Sequence, residues 1–242
     1  MKVKILHLYN NLMNLYGEYA NISILCRHLN EQGVECEVTK TDSCEEVELS
    51  DFDFIYVGSG TEAAQARAAA DLIKKKDELL SCAAAGTVML FTGNSFELLG
   101  SKITENDGAV LEGIGLDDFE TKVSYKKRYT GDCVCSCKFI EQPFVGFINK
   151  GSQTFGITEP LFKMQMGEGN REGDSGEGFR RYNVFGTHLI GPILVKNPHF
   201  TKYLIKLIMK DKPEFSYREK IDPCEQGSYE ITLRELKKRM GA

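Results

Sequence analysis

The stretch VMLFTGNSFELLG, residues 88–100, decides the fold. It begins with an apolar run that is typical of a buried strand, passes through a glycine turn and ends as the start of a helix. In many α/β enzymes such a turn carries the catalytic nucleophile. Here the turn holds Gly93, Asn94 and Ser95, and no cysteine. The first question is therefore whether this turn is an active site or only the shell of one.

Strands and helices alternate along the chain before this stretch. A strand pattern over residues 3–9 is followed by helical spacing in EYANISILCRHLNEQG. The apolar run FDFIYVGSG predicts another strand, and a long helical segment rich in Ala and Lys follows it and ends at Gly86. This alternation predicts an α/β fold, with a mostly parallel sheet covered by helices on both faces.

The second half of the chain has a different character. Residues 120–160 are β-rich, with patterns more typical of antiparallel strands. An amphipathic helix is predicted for HFTKYLIKLIMK, and the tail ends in a further helix, YEITLRELKKRM. No repeat or obvious linker divides the chain. We predict one domain over residues 1–210 and a C-terminal extension with a helix over residues 211–242.

Composition excludes several classes of function. The chain has 242 residues, 42% of them hydrophobic and 27% charged, as expected for a soluble globular protein. No run approaches the roughly 18 apolar residues that a membrane-spanning helix needs. The N-terminal sequence MKVKILHLYN lacks the features of a signal peptide, so we expect a cytoplasmic location. The net charge of -5 and the lack of a basic stripe argue against nucleic-acid binding.

Eight cysteines are dispersed along the chain, and we expect them to be reduced. Cys133, Cys135 and Cys137 alternate along a predicted strand, so their side chains share one face. A zinc site usually spaces its thiols as C-x-x-C and needs a second pair. We therefore interpret this run as a packed strand face, and we expect no metal and no cofactor.

Three glycine-containing loops are candidates for a functional site: GSGTE, TGNSFE and GTHLIGP. In an open α/β sheet, ligands bind beyond the carboxyl ends of the strands. Glycine lets a substrate approach the backbone, and free N–H groups at a helix N-terminus can bind an anion or an oxyanion. Glycine turns at strand ends are commonplace, however, so a structural role is favoured for any one loop taken alone.

Several short motifs follow one another in a fixed order over residues 5–210. They are LYNNLMNLYGEYAN, GSGTEAAQ (residues 58–65), KKRYTG, GFINKGSQT, GEGN, GEGF and GTHLIGPILVKNP. In order and rough spacing they resemble the class I glutamine amidotransferases of the CobB/CobQ type. The resemblance is greatest to the GatD family, the glutaminase subunits of lipid II isoglutaminyl synthase. The corresponding GatD segments read like LYPDLMNLYGDRGN, GGGQDREQ and GTYLHGPLL.KNP.

The resemblance implies a fold, a process and a partner. The fold is the flavodoxin-like, mostly parallel sheet of class I amidotransferases, with a β-rich segment around residues 120–160. The process is the amidation of D-glutamate in lipid II during peptidoglycan synthesis. The partner is a Mur ligase-like, ATP-dependent subunit of the MurT type, which uses the ammonia.

The two residues that carry the family's chemistry are replaced in this chain. The family's nucleophile turn reads like CGGYQLLG, and its cysteine aligns with Gly93. The family's histidine lies in YLHGP and aligns with Ile190, whereas His188 stands two residues earlier. In glutamine hydrolysis a thiolate attacks the side-chain amide, and the histidine activates it and protonates the leaving ammonia. The resemblance therefore implies that both catalytic positions are degenerate, which removes most of the rate enhancement.

Neighbouring residues offer no convincing replacement. His188 shares a strand face with Ile190 but lies roughly 6–7 Å further back. Asn94 can form a hydrogen bond but cannot attack an amide, and Ser95 projects elsewhere. Cys82 ends the preceding helix and lies at the other end of the sheet.

Other site residues follow from the resemblance. Gly58 and Gly60 correspond to the oxyanion loop, and Gly93 tolerates the strained backbone that a nucleophile turn demands. Arg128 matches the arginine that contacts glutamine; the alternative is a solvated basic strand end. Glu97 stands where the family has glutamine, and we interpret it as a residue that caps or packs at the helix start. The candidate ligand-binding residues are Arg128, Gly58, Gly60, Asn94, Ser95 and His188.

Three hypotheses stay open from the sequence. In the first, the chain is a degenerate subunit that supports a ligase able to use free ammonia. In the second, it is an amidotransferase with relocated chemistry, which uses His188, Asn94 or a cysteine outside the turn. In the third, it is a binding module for glutamine or a related carboxylate. A shift in melting temperature with glutamine or glutamate separates the third hypothesis from the first.

Overall fold

A computed structural model describes residues 1–241 of the chain. The strands are β1 (Lys2–Leu8), β2 (Glu35–Thr41), β3 (Phe54–Val57), β4 (Val88–Thr92), β5 (Lys102–Thr104), β6 (Val110–Glu112), β7 (Glu120–Val123), β8 (Tyr129–Ser136), β9 (Phe144–Lys150), β10 (Ser152–Phe155), β11 (Phe162–Met166), β12 (Gly176–Glu177), β13 (Phe179–Arg181) and β14 (Val184–Thr187). The α-helices are α1 (Tyr19–Glu31), α2 (Glu62–Leu72), α3 (Lys76–Ala85), α4 (Ile193–Lys196), α5 (Pro198–Ile208) and α6 (Pro223–Arg239).

The central sheet has six strands in the order β13-β14-β4-β3-β1-β2. Every neighbouring pair is parallel except β13 and β14 at one edge. The five parallel strands follow the 2-1-3-4-5 order of flavodoxin-like sheets. The predicted α/β fold with a mostly parallel, flavodoxin-like sheet is confirmed.

Helices cover both faces of this sheet. In β1, Leu6 and Leu8 pack on the face covered by α2 and α3, whereas Val3 and Ile5 pack on the face covered by α1 and α5. This alternation follows from the two-residue period of a strand. All residues of β3 and β4 are buried, as expected for parallel strands between two helical layers.

The β-rich segment is larger than the predicted 120–160. It begins with β5 and continues through β12, and it forms two four-stranded sheets in the orders β10-β7-β5-β6 and β12-β11-β8-β9. On β8, Cys133 and Cys135 are buried in the core and Cys137 is partly buried against it. This placement agrees with the packed strand face expected from the sequence, and all eight cysteines are free thiols.

The C-terminal helix α6 docks on this chain. Tyr229 and Leu236 pack against Val134 of β8 and Val145 of β9. The Tyr229 hydroxyl donates a hydrogen bond to the Pro143 carbonyl, 2.8 Å away. Within residues 1–241, no helix combines the length and the apolar character needed to cross a membrane.

Candidate functional site

Loops that follow β3, β4 and β14 meet beyond the carboxyl ends of these strands. Thr92 at the end of β4 is in register with Thr187 at the end of β14, and Val57 at the end of β3 with Phe91. The segment after β4, predicted to begin a helix, is a seven-residue 3₁₀ helix, Gly93–Leu99. The register of three adjacent strands therefore brings the predicted nucleophile turn beside both other candidate loops.

Gly93 has the backbone of a nucleophile turn but no room for a side chain. Its φ is +63°, a left-handed conformation that favours glycine. A Cβ added at this position would lie 2.5 Å from Ser59 Cβ, closer still to Ser59 Oγ, and 3.3 Å from Ile190 Cγ2. Ser59 therefore occupies the space into which a cysteine at position 93 would project.

The Asn94 side chain is bound to the loop after β3. Its Oδ1 accepts a hydrogen bond from the Gly60 backbone N–H at 2.9 Å and one from Ser59 Oγ at 3.3 Å. Gln65 Nε2 donates to the Asn94 carbonyl at 2.7 Å. The predicted oxyanion donor at Gly60 is therefore already satisfied by the chain itself.

Ile190 is fully buried beside Gly93. Its N–H donates to the Phe147 carbonyl at 2.9 Å, and Phe147 N–H donates back to the Ile190 carbonyl at 3.3 Å. The position aligned with the family's histidine is thus an apolar side chain whose backbone is fixed by a β-bridge to β9. It can neither accept nor donate a proton.

His188 lies behind the turn, in a buried polar cluster. Its Nε2 is 3.1 Å from Glu97 Oε1 and its Nδ1 is 3.4 Å from Glu177 Oε1, and all three side chains are 0–1% exposed. Its backbone N–H also donates to Glu177 Oε1 at 2.7 Å. The Phe96 ring packs edge-on against the imidazole. The histidine is therefore held between two carboxylates.

Glu97 is the centre of this cluster and does not cap a helix, so the interpretation made from the sequence is wrong on that point. Besides His188, its carboxylate accepts hydrogen bonds from Gln65 Nε2 at 2.7 Å and from Ser152 Oγ. Burial disfavours its charged form, but these hydrogen bonds outweigh that effect and hold the pKa of Glu97 below its ordinary value. The site thus contains an ionised carboxylate that is sealed from solvent.

A third buried acidic side chain, Glu18, was missed by sequence reasoning. Its Oε2 accepts hydrogen bonds from Tyr56 Oη at 2.8 Å and from Thr92 Oγ1, and its Oε1 accepts one from the Gly191 N–H at 3.3 Å. Burial raises the pKa of Glu18 in spite of these bonds. The available signal was the segment LYNNLMNLYGEYAN, in which Glu18 aligns with an acidic residue of the resembling family.

Arg128 lies at the rim of a narrow cleft, with its side chain 49% exposed. Its Nε donates to Asn149 Oδ1 at 2.6 Å, and its guanidinium is 3.3 Å from Glu62 Oε1. The cleft below it has a volume of about 20 Å³, enough for roughly one water molecule. A larger groove of about 610 Å³, between Ser136–Lys138 and Ile157–Lys163, contains none of the candidate residues.

The candidate residues therefore fall into two groups. Arg128, Gly60 and Asn94 line the cleft together. Gly58, Ser95 and His188 lie outside it: Gly58 packs against the Met13 carbonyl, and the Ser95 hydroxyl donates to the Val57 and Thr92 carbonyls. Within residues 1–241, no group of three or more His, Cys, Asp or Glu side chains is arranged to hold a metal ion.

Comparison with known sequences agrees with this geometry. The model of the CobB/CobQ-like glutamine amidotransferase domain matches residues 4–198. The chain belongs to this family. It is 32% identical over 205 residues to the GatD subunit of lipid II isoglutaminyl synthase (glutamine-hydrolyzing) from Staphylococcus aureus (strain N315), covering 85% of this chain and 84% of that protein. It is 30% identical over 213 residues to the GatD subunit from Streptococcus pneumoniae (strain ATCC BAA-255 / R6), covering 87% and 82%.

Solved structures show the same fold at low sequence identity. A structure of PurLQS from Thermotoga maritima has a TM-score of 0.57 at 15% identity, covering 87% of this chain and 99% of that one. The crystal structure of a glutamine amidotransferase has a TM-score of 0.55 at 14% identity, covering 84% and 98%. The class I glutamine amidotransferase fold is therefore shown.

Proposed function

We propose that this chain is a GatD-like subunit that takes part in lipid II amidation without hydrolysing glutamine. It keeps the amidotransferase fold and acts beside a Mur ligase-like, ATP-dependent subunit of the MurT type, which amidates lipid II with free ammonia. Support for the process comes from the two GatD relatives, each matched over more than four-fifths of its length.

One observation carries the loss of hydrolysis. Gly93 offers no nucleophile, Ile190 offers no base, and Ser59 fills the space that a side chain at position 93 would need. Acyl transfer from an amide needs both a nucleophile and a group that protonates the leaving ammonia. Loss of both groups leaves only the contribution of binding and of any oxyanion donor, which here is occupied by Asn94.

Relocated chemistry is less well supported. None of the eight cysteines lines the cleft, and this includes Cys26, whose pKa is lowered by a hydrogen bond with Cys36. Burial raises the pKa of the Cys82, Cys133 and Cys135 thiols, and it raises the pKa of Cys44 to about 12. A thiol with a raised pKa is a poor source of thiolate. His188 does not line the cleft, and Glu97 stands between its imidazole and the cleft, so the imidazole has no direct contact with a substrate there.

A binding module is the second candidate, and the exposed guanidinium of Arg128 favours it. Arginine recognises carboxylates through two parallel hydrogen bonds. Against it stands the cleft volume of about 20 Å³, since small-molecule pockets measure roughly 300–1,000 Å³. A ligand would have to displace side chains that now fill the cleft.

The deciding experiment measures ammonia release from glutamine by the purified chain, alone and with its ligase-like partner. The proposal expects background release in both cases. It also expects the complex to amidate lipid II from ammonium but not from glutamine. Enzymatic release by the native chain would overturn the proposal and redirect attention to the cysteines outside the turn.

Partner binding and ligand binding are tested separately. Co-purification with a MurT-type ligase subunit is expected under the proposal. A rise in the melting temperature of the isolated chain with glutamine or glutamate would instead support the binding module.

A further inference from the structure

We propose that Ser59 and Asn94 form an internal plug that excludes amide-bearing ligands from the cleft. The Ser59 side chain fills the space of a nucleophile at position 93, and the Asn94 carboxamide caps the Gly60 N–H. This inference rests on the proposed function, since it takes the turn at Gly93 to be a nucleophile turn without its nucleophile.

The plug consists of side chains at two positions where the resembling family has glycine. Ser59 is the second residue of GSGTEAAQ, aligned with GGGQDREQ, and Asn94 is the second residue of GNSFELLG, aligned with CGGYQLLG. Glycine at both positions would leave this space empty. Here the two side chains meet, with Ser59 Oγ donating to Asn94 Oδ1 at 3.3 Å.

The steric role of Ser59 follows from the lack of space for a side chain at position 93. The overlap of a Cβ at position 93 involves both Ser59 Cβ, at 2.5 Å, and Ser59 Oγ. Truncation of Ser59 to alanine would keep the Cβ and therefore the overlap, whereas truncation to glycine would remove it. Ser59 is 5% exposed and lies in a packed loop, so it cannot swing aside into solvent.

The role of Asn94 follows from its hydrogen bond with the Gly60 N–H. The Gly60 N–H points at a carboxamide oxygen 2.9 Å away, which is the contact that an amide ligand would need from this donor. Asn94 is also held through its backbone carbonyl by Gln65. A carboxamide ligand must therefore displace an internal carboxamide that is already anchored in place.

Glutamine binding tests the role of Asn94. Full-length S59G, N94G and S59G/N94G variants would be compared with the native chain for melting shifts with L-glutamine and L-glutamate. The double variant is expected to gain a glutamine-dependent increase that the native chain lacks. Ammonia release should stay at background in all four proteins, because none has a nucleophile at position 93. No glutamine-dependent shift in S59G/N94G would overturn the role of Asn94.

Alkylation tests the role of Ser59. G93C, S59A/G93C and S59G/G93C would be treated with iodoacetamide, and labelling of the thiol introduced at position 93 would be followed by peptide mass spectrometry. The exposed Cys224 serves as the internal reference in every variant. The introduced thiol is expected to react several-fold faster in S59G/G93C than in the other two, and the melting temperature should be highest in S59G/G93C.

All three variants carry the strain of a non-glycine residue at position 93. Differences among them in labelling rate or melting temperature therefore result from the residue at position 59. If G93C and S59A/G93C fail to fold while S59G/G93C folds, the steric role is supported. Equal labelling and equal melting temperatures in the three would overturn it. Neither result depends on whether the native chain releases ammonia, which tests the proposed function alone.

Discussion

The turn at Gly93 and the cluster around His188 differ in their ionisable groups. At the turn, Gly93 lies beside Ile190, and neither residue can titrate. In the cluster, His188 lies between Glu97 and Glu177, and the three side chains are at most 1% exposed. A histidine two residues from the expected place is thus a structural group, because a general base must reach the proton that it moves.

The largest expected effect comes from restoring the cleft. The S59G/G93C/N94G/I190H variant supplies a nucleophile, a base and space, and it also frees the Gly60 N–H. We expect its ammonia release from glutamine to exceed that of the native chain by at least about 100-fold. A coupled ammonia assay measures it. The G93C/N94G/I190H variant, which retains Ser59, is the matched control and should release much less. Equal rates in the two variants would show that Ser59 does not obstruct the turn.

The next largest effect is expected on stability, when the His188 side chain is removed from its buried cluster with Glu97 and Glu177. His188→Leu leaves Glu97 and Glu177 buried without their shared partner, so the free energy of unfolding should fall by about 3–5 kcal/mol. Urea unfolding measures it. The E97Q/H188Y variant, which carries the family's residue types, removes a charge together with its partner and should lose less. A loss below about 1 kcal/mol in His188→Leu would mean that the cluster does not depend on the contacts of His188 with the two glutamates.

A third test compares His188 with a buried histidine that lacks partners. Burial, and then the charge of Lys40, lower the pKa of His7 to about 4, and neither of its ring nitrogens has a hydrogen-bond partner. Below pH 6.5, His7 is mostly protonated in the unfolded chain, whereas in the folded chain it becomes protonated only near pH 4. The free energy of unfolding therefore falls as the pH is lowered through this window.

The loss of folding stability at pH 5 follows from the difference between the His7 pKa values of the unfolded and folded chains. Between pH 7 and pH 5, His7 should cost the native chain about 2 kcal/mol of stability, and this loss should be absent from His7→Leu. Urea unfolding at both pH values measures it. The same pH dependence in both proteins would show that His7 is protonated or hydrated in the folded state. His199, whose pKa burial also lowers to about 4, continues to contribute in both.

The smallest effect is expected at the rim of the cleft. Arg128→Gln removes half-exposed contacts to Glu62 and Asn149, and such pairs contribute little in water. The free energy of unfolding should change by less than about 0.5 kcal/mol in urea unfolding. A larger loss would mean that the rim, like the cluster, stabilises the fold.

Local patterns were enough to predict the central sheet, since β1, β3 and β4 are short apolar runs bounded by turns. They failed where contacts between distant residues decide the structure. The helix predicted up to Gly86 is divided by a 3₁₀ turn, Ile73–Lys75, into α2 and α3. The β-rich segment was underestimated because short strands such as β5 and β6 are fixed by pairing rather than by their own sequence.

The candidate site, like the fold, could be predicted only in part from local sequence patterns. Alignment of motifs predicted Gly93 and Ile190 as replaced positions, because such a prediction needs only the sequence. The contacts of Ser59 with the Gly93 position and of Asn94 with Gly60 join residues that are more than thirty positions apart. No local pattern encodes such contacts, so the plug and the burial of His188 emerged only from the folded chain.

The position of β14 in the central sheet has a consequence for how the molecule folds. β1, β3 and β4 are close in sequence and can pair early, whereas β14 must wait until both inserted sheets between Thr92 and Val184 have been made. Contacts of such large sequence separation form slowly. During synthesis, the turn at Gly93 is therefore made before β14 and before Ile190, which follows that strand. The contact between Ile190 and the Gly93 turn can form only after this later part of the chain has joined β4.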